Sequence, residues 1–215
     1  MKLILARHGD TFTKGDKIFW VGAREDLPLT PSGIEQAHQL AKYLRAEDLL
    51  PDAIYAGTLS RTQQYAGIIN AALGREEPVQ TDIRLNEIDY GRWSGRTTAE
   101  ITAQYGQDVV DDWNSRAIWP NNAEWQPSES QIEENARTFV NDTSEKFPNG
   151  KILAITSNGI MRFFLRLDES TYTERLNQKQ LKTATGNFGV LEVTASETIV
   201  NAWNVKPADQ RRNIS

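Results

Sequence analysis

The chain has 215 residues, 39% hydrophobic and 25% charged, with a net charge of −5 and no cysteine. Length and balance suit one folded domain with its own core, expected over residues 1–206, while the lack of thiols excludes disulfide and thiolate chemistry and fits a cytoplasmic location. An acidic chain without a Lys/Arg block argues against a nucleic-acid partner, and the N-terminal apolar run, which ends at Arg7, is too short for a signal peptide. No later run is long enough to span a membrane. With only His8 and His38, a histidine-rich metal site is excluded, and no metal or cofactor is expected, although carboxylates for a hard cation are present without calcium-loop spacing.

Residues 2–6 form an apolar run too brief for a helix and predict a buried strand. It runs into Arg7-His8-Gly9-Asp10-Thr11. In that setting Gly9 permits close approach of backbone N–H groups to an anion, Arg7 offers a planar fork for phosphate oxygens and His8 is a candidate nucleophile. The tripeptide alone is equally compatible with an ordinary strand exit. Residues 10–28 read as a loop punctuated by Gly15, Gly22 and Pro28 and charged by Lys14, Lys17 and Arg24. Thr30 is a suitable N-cap and Pro31 a suitable first helical residue, so residues 31–46 predict an amphipathic helix with Ile34, Ala37, Leu40, Ala41 and Leu44 inward. His38 on that helix reads as a structural or surface histidine.

Residues 50–56 predict a second strand and residues 59–73 a second helix. Arg61 falls in the first turn of that helix, an unfavourable place for a cation unless an anion neutralises it. Residues 79–85 read as a third strand, followed by the turn-rich Asn86-Glu87-Ile88-Asp89-Tyr90-Gly91, whose Glu87 or Asp89 suits a partly buried general acid. After a short helix over 97–105, the segment 107–128 reads as a lid-like insertion. It places Trp113, Trp119 and Trp125 on a loop, or else on a side of the core or a homodimer surface. Ser128 and Gln131 form a capping-box pattern opening a helix to about residue 146, with Ile132, Ala136, Phe139 and Val140 inward. Residues 151–156 predict a buried strand that passes through Ser157-Asn158-Gly159 into a helix, an arrangement that aims backbone donors at an anion. Residues 188–193 and 199–205 predict two antiparallel strands, and residues 207–215 a polar tail. The alternation of strands and helices predicts an α/β fold, a three-layer α/β/α sandwich around a mostly parallel sheet.

Five ordered landmarks carry a more specific resemblance: Leu5-Ala6-Arg7-His8-Gly9-Asp10-Thr11, the Leu29-Thr30-Pro31-Ser32-Gly33 helix start, Leu59-Ser60-Arg61, Leu85-Asn86-Glu87-Ile88-Asp89-Tyr90-Gly91 with Trp93, and Ser128-Glu129-Ser130. Together they make most of residues 1–193 similar to the histidine phosphatase superfamily, the phosphoglycerate mutase-like family. The resemblance implies a metal-independent enzyme acting on a small phosphorylated substrate. In it His8 becomes transiently phosphorylated, Arg7 and Arg61 hold the phosphoryl group, Glu87 is the general acid and base, and Gly9, Thr11, Lys14, Arg24, Ser157 and Asn158 contact substrate. Two departures stand out. Family members usually carry a second histidine after the late strand, and counting back from Arg162 puts Ser157 there; Lys14 stands where the family often has a phosphate-contacting asparagine. One expectation is that Lys14 restores the charge missing at Ser157. A phosphatase is the leading reading, with a phosphomutase or a weakened phosphoester-binding regulatory protein as alternatives.

Overall fold

The computed structural model describes residues 1–207; most of the expected polar tail lies outside the described residues. Six strands form one sheet in the order β3-β2-β4-β1-β5-β6. These are β1 (Lys2–Arg7), β2 (Ala53–Ala56), β3 (Gln80–Thr81), β4 (Lys151–Thr156), β5 (Phe188–Val193) and β6 (Thr198–Val205). The first four are mutually parallel, while β5 runs antiparallel to β1 and β6 antiparallel to β5. Alternation along the strands assigns the two faces. Ile4, Ala6, Ile54, Ala56, Leu153 and Ile155 pack against α1 (Pro31–Ala46) and α2 (Ser60–Ala72), whereas Leu3, Leu5, Tyr55, Ile152 and Ala154 join the core on the opposite face. That second core is closed by α3 (Thr98–Tyr105), α4 (Gln107–Arg116), α5 (Glu129–Lys146) and α6 (Asn158–Leu165), and α7 (Glu169–Asn177) packs beside α6. The result is the expected three-layer α/β/α sandwich, with a mixed sheet. Among the described residues no helix is long and apolar enough to cross a membrane.

Thr30 caps α1 by accepting from Gly33 N–H at 3.1 Å, as its sequence predicts. Ile34, expected inward, is 41% exposed. Gly33 takes the inner position, because the chain after β1 packs so closely there that a β-carbon would lie 2.9 Å from the Asp10 nitrogen. Ser128 likewise caps α5 through Gln131 N–H, but the Gln131 side chain bonds Asn135 instead of returning to the cap, so the capping box is half made.

Two expectations fail for local reasons. The strand over 79–85 shortens to β3 and gives way to a 3-10 turn, Ile83–Leu85, because Asp82 accepts from Arg84 N–H at 2.9 Å and closes the turn. The segment 107–128 is not a loop throughout, since α4 occupies its first half. Trp113 and Trp125 are 2% and 3% exposed and belong to the core. Trp125 sits edge-on to Trp93 at 5.0 Å, Trp113 at 4.8 Å and Tyr90 at 4.8 Å, so aromatic packing gives this stretch its order.

Candidate active site

The helix following β1 covers one face of the sheet and the helix following β4 covers the other, although β1 and β4 are adjacent parallel strands. Such a divergence opens a crevice at the carboxyl ends of the strands, where ligands bind in open α/β sheets. A cavity of about 390 Å³ lies there, lined among others by Arg7, His8, Thr11, Arg61, Glu87, Tyr90 and Asn158.

His8 leaves the end of β1 with its backbone N–H still bonded to Thr156 O of β4, at 3.0 Å. Its ring is buried, with Nδ1 2.8 Å from Gly9 O. A carbonyl only accepts, so Nδ1 carries the hydrogen and Nε2 keeps a lone pair. The Arg61 Nε–H donates to that lone pair at 3.2 Å. Burial, and then the charges of Arg61 and Arg7, hold the His8 pKa well below the ordinary histidine value. The side chain is thus neutral and oriented, with a lone pair on Nε2.

Arg61 reaches this position from the first turn of α2 because two carbonyls of the loop after β1 fix its guanidinium, Nη1 to Glu25 O at 2.8 Å and Nη2 to Gly22 O at 2.9 Å. Arg7 donates from Nη1 to Thr183 O at 2.7 Å and leaves its Nε buried without a partner. Glu87, 6% exposed, accepts from Ile88 N–H at 3.0 Å and from Gly159 N–H, at the start of α6, at 3.2 Å. The Tyr90 hydroxyl is hydrogen-bonded to Glu87, and burial, followed by the Glu87 charge, raises the Tyr90 pKa well above the ordinary value. Lone pair, two guanidinium groups and a hydrogen-bonded carboxylate therefore meet in one cavity.

The other sequence candidates are placed as follows. Thr11 and Asn158 line the cavity, and Asn158 Oδ1 also accepts from Thr183 N–H at 3.0 Å. Gly9 is packed against α1, where a β-carbon would lie 2.6 Å from Gly33 Cα, and its carbonyl orients His8. Ser157 is 1% exposed at the end of β4, its hydroxyl without a partner. Arg24 is turned away into an ion pair with Asp89 at 2.8 Å. Lys14 is exposed in a turn that Asp16 closes on Thr13 at 2.7 Å, and it does not line the cavity, so its placement gives no support to charge compensation at Ser157. The lysine on the wall is Lys182, in the connection between α7 and β5, which sequence reasoning passed over along with Thr185, Trp20 and Asn114. Asp10 and Tyr90 lay inside the motifs already singled out. No spacing signal identifies Lys182, whose place is set by its neighbours: Leu181 is buried in the core and Thr183 is bonded by Arg7 and Asn158.

Fold and cavity define an α/β protein with a neutral histidine set among arginines at the strand ends. The chain belongs to the histidine phosphatase superfamily (branch 1), whose family model matches residues 3–206. It is 30% identical over 166 residues, 76% of its length, to a 2,3-bisphosphoglycerate-dependent phosphoglycerate mutase of Bifidobacterium longum, and the match spans 64% of that relative's length. Among solved structures, Bacillus stearothermophilus YhfR is 25% identical with a TM-score of 0.77, covering 94% of this chain and 96% of that one. A mycobacterial glucosyl-3-phosphoglycerate phosphatase shares the fold at 21% identity with a TM-score of 0.76, covering 95% and 99% of the two chains.

Proposed function

We propose that this protein is an enzyme that hydrolyses phosphomonoesters through a phosphohistidine on His8. The observation that carries the reading is the neutral imidazole whose Nε2 lone pair faces the Arg61 guanidinium in the same cavity as Arg7 and Glu87. A phosphoryl group entering there displaces the Arg61 Nε–H from the lone pair and accepts from it through an oxygen, so positive charge stays beside the transferring group. Nε2 attacks phosphorus, the P–O bond to the alcohol breaks, and Glu87, protonated by the incoming monoanionic ester before the attack, delivers that proton to the departing oxygen and becomes the carboxylate. Water then attacks the phosphohistidine, Glu87 takes its proton, and cleavage of the P–N bond releases phosphate and restores neutral His8. Ser157, at the place of the second family histidine, is buried next to the cavity-lining Asn158 but does not itself line the cavity, so the arginines carry the phosphoryl contacts. The arginines supply the positive field, so the chemistry needs no metal.

A phosphatase is placed ahead of a mutase because, among the described residues, Lys182 is the only cationic side chain lining the cavity besides Arg7 and Arg61, which leaves a single lysine there for a second anionic group. The test is turnover of an aryl phosphate by the wild type and His8→Ala, with acid-quenched intact-mass analysis. A phosphoryl adduct and turnover are expected for the wild type alone. Equal turnover by the variant would end the proposal, and ligand binding without turnover by either protein would favour the regulatory alternative.

A further inference from the structure

Beyond the catalytic residues the cavity has two unlike walls. The first is apolar: Phe12, Ile18, Phe19, Trp20 and Val21 from the loop after β1, with Trp113 from α4. Phe12 and Phe19 meet edge to face at 5.1 Å, and Trp20 stands edge-on to Tyr90 at 5.2 Å and to Trp93 at 4.9 Å. These contacts hold the rings in place before any ligand arrives, and Ile18 remains 59% exposed beside them. Apolar surface kept facing a cavity is a binding surface more often than a packing accident.

The second wall is Lys182. Leu181 and Thr183 on either side are buried, and Thr183 is fixed at both backbone groups, its carbonyl by Arg7 and its N–H by Asn158. That clamp presents Lys182 to the cavity. Among the described residues it has no ion-pair partner within 4 Å, and the adjoining recess, lined by Arg175, Lys179, Gln180, Lys182, Trp203 and Asn204, holds two further cations and no carboxylate. Partial burial, then Arg162 and Arg7, depress the Lys182 pKa, with Asp111 of α4 only partly offsetting them. Lys182 thus stands on the cavity wall near Asp111 of α4, and among the described residues no carboxylate pairs with it within 4 Å.

We propose that the cavity selects phosphomonoesters whose leaving alcohol carries a flat aromatic body, packed on the Phe12–Phe19–Trp20 wall, and a second anionic group paired with Lys182. The inference rests on the phosphomonoesterase reading and names its substrate class. The test compares propyl, benzyl and para-carboxybenzyl phosphate, all primary alcohols of similar leaving ability. We expect kcat/KM to rise in that order, by about tenfold at each step. In Lys182→Met the ratio between the two benzyl esters falls to near one, and in Phe19→Ala the ratio between benzyl and propyl falls. Affinities of the same esters for His8→Ala, read by calorimetry, give the order without turnover. Binding in this order by His8→Ala with no turnover by the wild type would remove the phosphatase reading and keep the selectivity. Equal turnover of all three esters, or a Lys182→Met loss shared equally by all of them, would overturn the selectivity and keep the phosphatase.

Discussion

Gly159 packs directly against the Glu87 carboxylate. A β-carbon there would overlap Glu87 Oε1 and lie 2.8 Å from the Tyr90 hydroxyl, while its N–H is one of the donors that hold the Glu87 carboxylate. Gly159→Ala should therefore displace Glu87 and lower kcat by about tenfold or more, within the range of general acid–base contributions. A variant with fewer active molecules but unchanged kcat per phosphorylatable site would show that the glycine matters for folding alone. The sequence showed a small polar turn at Ser157-Asn158-Gly159 but not this reason for the glycine, which lies in a residue 72 positions away in the chain. That Arg7, His8, Arg61 and Glu87 meet in one cavity was legible because each sits in a local pattern. The choice between Lys14 and Lys182 was not, because an Asp16-closed turn sends the first outward and the Arg7 and Asn158 clamp on Thr183 brings in the second.

At the scale of elements, α6 joins the sheet to the helices above it. Arg162 is fully buried, stacks on the Trp113 ring at 4.5 Å and donates to the Trp113 carbonyl, and burial lowers its pKa to about 10. One turn on, Arg166 bridges Glu129 at 2.8 Å and Glu133 at 2.5 Å on α5, donates to Ala117 O at the end of α4, and lies over Phe163. Cations at the C-terminus of α4 also complement its dipole. Arg166→Ala should lower the unfolding free energy by about 2 kcal/mol in a urea titration, since several partners lose a partly buried charge together. A change below about 0.5 kcal/mol would place Arg166 among ordinary surface ion pairs. Strands β1, β4 and β5 were readable from short apolar runs, and α1 from its cap and spacing. The short extent of β3 and the helix α4 were not, because an aspartate side chain ends the strand and a tryptophan cluster assembled from distant segments orders the helix.

For the whole molecule, the cavity concentrates cations in a chain that is acidic overall. Arg7 and Arg61 both have their pKa lowered by burial, and Glu87 only partly offsets that, so folding assembles a site whose charge an anion would balance. Global stability should then depend on both pH and anion. The His8 pKa is depressed in the folded state, so the unfolded chain takes up a proton near its ordinary value of 6.5 that the folded chain refuses. The stability contributed at His8 is intact above that pH and is lost progressively as the pH falls below it. Anion binding adds by mass action: at a hundredfold excess over Kd, inorganic phosphate should stabilise the fold by about 2.7 kcal/mol, a rise in Tm of roughly 5–10 °C for a chain of this size. Arg61→Met also loses the bonds to Gly22 and Glu25, so its resting Tm is not the readout; the phosphate-induced increment is. Thermal unfolding at pH 7.5 over a phosphate series should give that increment for the wild type and little of it for Arg61→Met. Equal increments in the two proteins would mean that phosphate acts at some other site, and the charge argument for the cavity would fail.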